Sequence, residues 1–235
     1  MSLEGICVLP IVLVTLSTGT FVINYVVAVL QGHVDVIFPY ISDSGTNPPE
    51  SCIFGLMASI TAMTGVATIY ARYKLIEKLT ERRTLVRPLV NQIALGIGLL
   101  SCLGICIVGT FQETVLRYVH DVGAGLHFVM AVLYMIMQTY ISYRTQYGPS
   151  KALCCTRAII TSVACLALIP TIVCAILVKS QQVIWTGNEK EYGLHLASAV
   201  CEWVVAFSLV FYFLTYVHDF KLFTLTVKTE LVEYN

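Results

Sequence analysis

The stretch LVNQIALGIGLLSCLGICIVGT, Leu89–Thr110, holds 22 successive residues without a charged side chain. The hydrocarbon core of a bilayer needs about 20 residues of α-helix to cross it. In lipid, every backbone N–H and C=O group must find its partner within the folded segment, which only a helix or a closed barrel achieves. Barrel strands are shorter and alternate in polarity. The stretch therefore predicts a transmembrane helix.

Five further apolar runs of similar length accompany this stretch. Of the 235 residues, 57% are hydrophobic and only 12% are charged, whereas soluble domains carry about 25% charged residues. The predicted fold class is an all-α membrane protein, a six-transmembrane-helix bundle that forms a single domain over residues 1–235. The first run is expected to be a retained helix, because its flank MSLEGI has no basic residue. The five runs are Cys7–Leu30, Cys52–Tyr73, Val119–Ser142, Arg157–Val178 and Leu194–Val217.

The distribution of Lys and Arg predicts the orientation of the helices. Eleven of the 14 Lys and Arg residues lie in or beside the second loop, the fourth loop and the C-terminal tail. The positive-inside rule places these in the cytosol, and six spans then place both termini there. We therefore predict a basic cytosolic loop at 74–88, a cytosolic tail at 218–235 and an acidic lumenal loop at 31–51. The eleven residues are Arg72, Lys74, Lys78, Arg82, Arg83, Arg87, Arg144, Lys151, Arg157, Lys221 and Lys228.

The acidic lumenal loop contains the segment FPYISDSGTNPPE, residues 38–50, without any Lys or Arg. Its prolines restrict φ and its Ser-Gly-Thr-Asn sequence is typical of turns, so we expect the loop to fold onto the bundle. Two interpretations stay open. The loop caps the start of the second helix, where the helix dipole favours an acidic residue, or it binds a partner or senses the lumen. The candidate determinants are Tyr40, Asp43, Gly45, Pro48, Pro49 and Glu50.

Three polar residues inside the predicted spans are candidates for function, because such groups are costly in lipid. Glu202 and His127 each lie eight residues into helices that start on the lumenal side, and Asn24 lies at nearly the same depth. A His–Glu pair at that depth would sense pH or relay protons, or it would tie the helices together by a hydrogen bond. We predict no catalytic, cofactor-binding or metal-ligating residue, because no nucleophile, base and orienting group share a recognisable spacing.

The cysteines predict a modification rather than a disulfide. Of the nine, only Cys52 lies at a lumenal boundary, so it has no partner there. Cys154 and Cys155 lie next to the membrane on the cytosolic side, beside Lys151 and Arg157. Juxtamembrane cysteines in such a position are candidates for S-palmitoylation.

The basic cytosolic loop, KLIEKLTERRTLVRP, interleaves acidic with basic residues. One interpretation is an extension of the second helix with ion pairs on its exposed surface. The other is a surface that contacts anionic lipid head groups. The charge pattern alone is consistent with both.

Segments from every part of the chain carry a family likeness. They are FPYISDSGTNPPES (38–51), YVVAVLQGH (25–33), ATIYARYK (67–74), TFQE (110–113), VHD (119–121), WTGNEKEY (185–192) and CEWVVAFSLVFYFLTYVHDF (201–220). Together they resemble the damage-regulated autophagy modulator family, a branch of a wider six-span superfamily. The likeness runs in order along nearly the whole chain.

This resemblance implies a multi-pass protein of lysosomal and late-endosomal membranes that promotes autophagy and links it to cell death after stress signalling. It implies no enzyme activity and no cofactor. The implied partners are the lipid bilayer and other membrane or autophagy-regulating proteins, and no nucleic acid is expected at a net charge of zero. The oligomeric state stays open.

Two alternative functions come from the residues and from other branches of the superfamily. One is a protein that transports protons, ions, amino acids or lipid along Glu202 and His127. The other is a plasma-membrane scaffold that regulates a phosphoinositide kinase through its cytosolic loops and tail.

Overall fold

The protein is a bundle of six long helices. The computed structural model describes residues 2–3, 5–82, 86–145, 151–180, 182–221 and 224–226. Six helices in this part are long and apolar enough to cross a membrane, which confirms the predicted all-α six-helix membrane bundle. The helices are α1 (Val8–Leu30), α2 (Glu50–Arg82), α3 (Pro88–Thr110), α4 (Arg117–Thr145), α5 (Lys151–Leu177), α6 (Tyr192–Leu214) and the short α7 (Tyr216–Phe220). A two-residue antiparallel pair joins β1 (Ser2–Leu3) to β2 (Leu225–Thr226).

Helix α2 differs most from its predicted span, because it continues beyond Tyr73 to Arg82. Ion pairs with i,i+3 spacing support this extension: Lys74 Nζ lies 2.6 Å from Glu77 Oε2, and Lys78 Nζ lies 2.6 Å from Glu81 Oε2. The described part of the 74–88 loop is therefore largely helical, as the ion-pair interpretation of its sequence predicted.

Helix α6 ends earlier than its predicted span. The Thr215 hydroxyl donates a hydrogen bond of 2.6 Å to the Tyr212 carbonyl, and α7 then begins at Tyr216. Hydroxyls that bond back to the preceding turn compete with the helical ladder and bend helices. Asp219 of α7 lies inside the bundle and is only 5% exposed.

Neighbouring helices pack in chain order, and α1 also contacts α6. Helices α3 and α4 approach each other closely at Gly104. A Cβ added at Gly104 would lie 2.4 Å from the backbone N of His127 and 2.8 Å from the Gly123 carbonyl O. Small residues allow such close backbone contact between membrane helices, and only glycine fits here.

A buried charge cluster ties α2, α4, α5 and α7 together at one end of the bundle, which we call the basic end. Asp219 Oδ2 accepts hydrogen bonds from Arg72 Nη1 at 2.6 Å and from Arg157 Nη2 at 2.5 Å. The Ser142 hydroxyl accepts from both guanidinium groups, at 3.0 and 2.8 Å. The Tyr216 ring lies 5.0 and 5.3 Å from the two guanidinium carbons, within range of a cation–π interaction. Arg72 and Arg157, two of the eleven residues that set the predicted orientation, therefore lie inside the fold.

Candidate functional site

The loop between α1 and α2 folds onto the opposite end of the bundle, which we call the acidic end. The backbone N–H of Ile41 donates to Glu202 Oε2 at 2.9 Å. The Trp203 indole N–H donates to the Pro39 carbonyl at 2.8 Å, and the Ser42 hydroxyl donates to Glu113 Oε2 at 2.9 Å. The loop thus docks on α6 and on the α3–α4 connection, as its prolines and turn residues predicted.

Three of the predicted loop determinants lie where the loop turns. Asp43 begins a single 3₁₀ turn that ends at Gly45. A Cβ at Gly45 would lie 2.6 Å from Cγ of the Phe54 ring, so this turn can approach α2 only as glycine. The Tyr40 ring meets the His195 ring edge-on, with their centroids 4.8 Å apart.

The other three predicted determinants lead into α2. The Pro48–Pro49 peptide bond is cis, and Glu50 is the first residue of the helix. The Glu50 side chain is 1% exposed and pairs with His33 Nδ1. This arrangement fits the interpretation of these residues as the start of a helix, with an acidic group in the first turn.

A group of carboxylates surrounds a cavity at the acidic end. Asp43 and Glu202 are 3% and 7% exposed, and Glu113 lies beside them. The cavity has a volume of about 630 Å³ and lies between α4, the end of α5 and the start of α6, with the docked loop on one side. Burial raises the pKa of Asp43 well above its ordinary value, and the charges of Glu113 and Glu202 raise it further. Both effects favour the protonated, neutral form of the Asp43 carboxyl over its charged form, whereas the charge of Arg117 opposes them.

The three predicted intramembrane residues do not form one group. His127 donates from Nδ1 to the Ser101 carbonyl at 2.9 Å, whereas Glu202 accepts from the docked loop. Asn24 donates to the Thr20 carbonyl of its own helix at 2.6 Å. The predicted pairing of His127 with Glu202 is therefore wrong. The two residues share a depth, but depth does not fix the rotation of a helix, and His127 faces α3.

Several residues around the cavity were not among the predicted site residues. His120, Trp185 and His195 line it and are each 5% exposed or less. The indole of Trp185 stacks on His195, with ring centroids 4.5 Å apart. His120-Asp121 and Trp185 lay in segments that carry the family likeness, but nothing in their spacing indicated that the fold brings them together.

The predicted palmitoylation sites lie in the first turn of α5. Cys155 is exposed. Cys154 is half-buried, and its thiol lies 3.7 Å from the Ser142 carbonyl O. Access to the sulfur therefore favours Cys155 over Cys154, and the modification stays a prediction.

Docking of the loop is expected to depend on pH through Asp43. The groups that face this carboxyl are Tyr40, Glu113, Glu202 and Arg117. The docked loop holds the pKa of Asp43 above its ordinary value of 3.8. At a pH between 3.8 and the raised pKa, the carboxyl therefore takes up a proton when the loop docks. Docking is therefore most stable in acid and weakens as pH rises through that window. We expect amides of residues 38–46 to be better protected from hydrogen exchange at about pH 5 than at about pH 7.5.

The matched variant for this test is Asp43→Asn, which keeps the shape of the side chain and removes its titration. In this variant, the amides of the loop are expected to be equally protected from hydrogen exchange at both pH values, after correction for the intrinsic exchange rate. A pH difference that persists in this variant would show that another group controls docking.

Comparisons with known proteins place the chain among membrane proteins of one family. The model of the Frag1/DRAM/Sfk1/Cwh43P N-terminal domain matches residues 5–223. The chain is 46% identical to mouse DNA damage-regulated autophagy modulator protein 1 over 97% of each chain. It is 38% identical to rat DNA damage-regulated autophagy modulator protein 2, over 97% of this chain and 88% of that one.

A more distant relative carries a similar name. The chain is 33% identical to the Xenopus laevis modulator of macroautophagy TMEM150B-B, over 90% of this chain and 84% of that one. No solved structure matches the chain significantly. The likeness to these relatives therefore rests on sequence and covers all six long helices.

Proposed function

Because the chain belongs to the Frag1/DRAM/Sfk1/Cwh43P family, we propose that it is a multi-pass membrane protein that modulates autophagy. The observation that carries this proposal is the 46% identity to DNA damage-regulated autophagy modulator protein 1 over 97% of both chains. The relatives are named modulators rather than enzymes. We therefore propose that the protein acts without catalysing a reaction, by contacts with the bilayer and with other membrane or autophagy-regulating proteins.

The proposed location is the lysosomal or late-endosomal membrane, with the acidic end in the lumen and both termini in the cytosol. The positive-inside rule supports this orientation, because Lys and Arg concentrate toward the basic end and its loops. The raised pKa of Asp43 also supports it, since the docked loop is most stable in acid. We propose that the protein couples stress signals to cell death through autophagy, as the family resemblance implies.

The two alternative functions have less support. Transport along Glu202 and His127 is not favoured, because the two side chains face different neighbours. A plasma-membrane scaffold for a phosphoinositide kinase differs from the proposal in location, and it would depend on the tail after Asp219. Location is therefore the measurement that separates it from the proposed function.

The proposal is tested by deleting the protein from cells and measuring autophagic flux, the turnover of an autophagosome marker with and without a block of lysosomal degradation. We expect autophagic flux to fall in stressed cells that lack the protein and to recover when a chain tagged at its C-terminus is restored. We also expect the tagged chain to lie at the lysosomal membrane. The matched control restores Asp219→Asn, which is expected to fold poorly and to fail. Unchanged flux with the tagged chain confined to the plasma membrane would contradict the proposal and favour the scaffold.

A further inference from the structure

We propose that the cavity at the acidic end binds an amphiphilic amine. Its protonated amino group would lie between Asp43 and Glu202, and its apolar chain would lie along α4 and α5. The inference rests on the geometry of the cavity and does not depend on a role in autophagy.

Two buried carboxyl groups at the cavity, those of Asp43 and Glu202, form no ion pair with a basic side chain among the described residues. The guanidinium of Arg117 lies at the cavity, 3.6 Å from Asp121 Oδ2 and 3.9 Å from Glu113 Oε1. Among the described residues, no Lys or Arg side chain forms an ion pair with Asp43 or Glu202. Buried charge is costly unless a charge of opposite sign compensates it. A cation bound between the two carboxylates would supply that compensation.

Polar atoms of buried side chains that line the cavity also lack a hydrogen-bond partner among the described residues. His120, 3% exposed, places Nδ1 at 2.7 Å from the Phe111 carbonyl O, so Nδ1 carries the proton. Its Nε2 is then an acceptor when the ring is neutral. It lies 3.9 Å from Glu113 Oε2 and has no hydrogen-bond partner in the described part of the chain. Glu202 uses Oε2 for the loop, and no described residue donates to Oε1. These free acceptors match the three N–H groups of a primary ammonium.

The arrangement of the side chains around the cavity argues against a metal ion. Among the described residues, no three His, Cys, Asp or Glu side chains come close enough to hold one. A volume of about 630 Å³ lies within the roughly 300–1,000 Å³ typical of sites for drug-sized ligands. The cation that fits is therefore part of an organic molecule.

One wall of the cavity is apolar and reaches the outer surface of the bundle. Phe128 of α4 and Ile172 of α5 line the cavity. Val115 and Ile176 also line it and are 69% and 74% exposed. An apolar chain could therefore enter from the bilayer between α4 and α5, whereas a fully polar amine would leave these walls uncovered. An amine held by a lipid chain and a soluble amine share the ammonium chemistry, so the experiment compares both.

The test uses the full chain in nanodiscs of phosphatidylcholine and a long-chain primary amine with brominated carbons, which quench nearby tryptophan. We expect the amine to quench Trp185, which lines the cavity, at concentrations at least about tenfold below those of the matched brominated alcohol. Trp185→Phe should abolish most of the quenching and leave the signal of Trp203. If the amine and the alcohol bound the unmodified chain equally well, the proposal would be overturned.

Carboxylate variants then locate the amino group. Asp43→Asn and Glu202→Gln are each expected to weaken amine binding by about tenfold or more, because each removes a charge-assisted hydrogen bond. The matched control is Glu81→Gln at the basic end, which should bind as the unmodified chain does. Variants that fold, judged by thermal unfolding, and still bind the amine normally would overturn the assignment. If ethanolamine displaced the brominated amine as well as an unlabelled long-chain amine does, the proposed role of the apolar walls would be overturned.

Discussion

Replacing Asp219 with Asn is expected to lower the free energy of unfolding by about 3 kcal/mol or more. The Asp219 carboxylate is the shared partner of two guanidinium groups, and Arg157 and Arg72 are 0% and 2% exposed. Asn keeps the shape and one acceptor oxygen but removes the charge, so two buried cations would remain without an anion. Thermal unfolding of the purified chain in detergent, followed by its far-ultraviolet circular dichroism, measures the effect.

The control for this prediction is Glu81→Gln, which breaks the exposed ion pair between Lys78 and Glu81. Exposed pairs contribute little, so a change within about 0.5 kcal/mol is expected. The double variant Arg72→Met with Asp219→Asn tests whether Asp219 stabilises the fold through its ion pairs. Because Arg72→Met removes one of the uncompensated cations, adding it to Asp219→Asn should cost less than the sum of the two single changes. Strictly additive losses would show that Asp219 acts on its own.

The charge cluster shows where the sequence stops being informative. Arg72 and Arg157 lie at the ends of their predicted spans and were counted with the adjoining loops. This gave a consistent orientation because the rule depends on where positive charge lies along the chain. Their burial accompanies their contacts with Asp219 of α7, which is itself buried. Asp219 lies 62 positions from Arg157 and 147 positions from Arg72 in the chain. Hydropathy along a chain does not report such a pairing.

The acidic end shows the same division. The six helices could be predicted because a span of about 20 apolar residues is a property of each segment alone. Docking of the loop could also be predicted, since proline and turn residues restrict its backbone locally. The partner of Ile41 could not, because Glu202 lies 161 positions away. His127 and Glu202 do not pair because their helices are rotated so that the two side chains face different neighbours. The rotation of a helix depends on its packing against other helices.

Replacing Gly104 with Ala is expected to lower the free energy of unfolding by about 2 kcal/mol or more. The added methyl would lie 2.4 Å from the backbone N of His127 and 2.8 Å from the Gly123 carbonyl O. Backbone atoms of a packed helix cannot turn away as a side chain can, so α3 and α4 must separate. Their separation would also lengthen the hydrogen bonds between Ser101 and His127, which are now 2.9 to 3.1 Å.

Helix α3 supplies its own control at Gly96, where an added Cβ would meet no atom within 4 Å. Ala is the better helix former by about 0.8–1 kcal/mol, so Gly96→Ala is expected to leave stability unchanged or slightly raised. Both variants change glycine to alanine in the same helix, so they differ in the contact alone. Unfolding of both in the same detergent measures that contact. Equal stability of the two would show that α3 and α4 are not in close contact at Gly104.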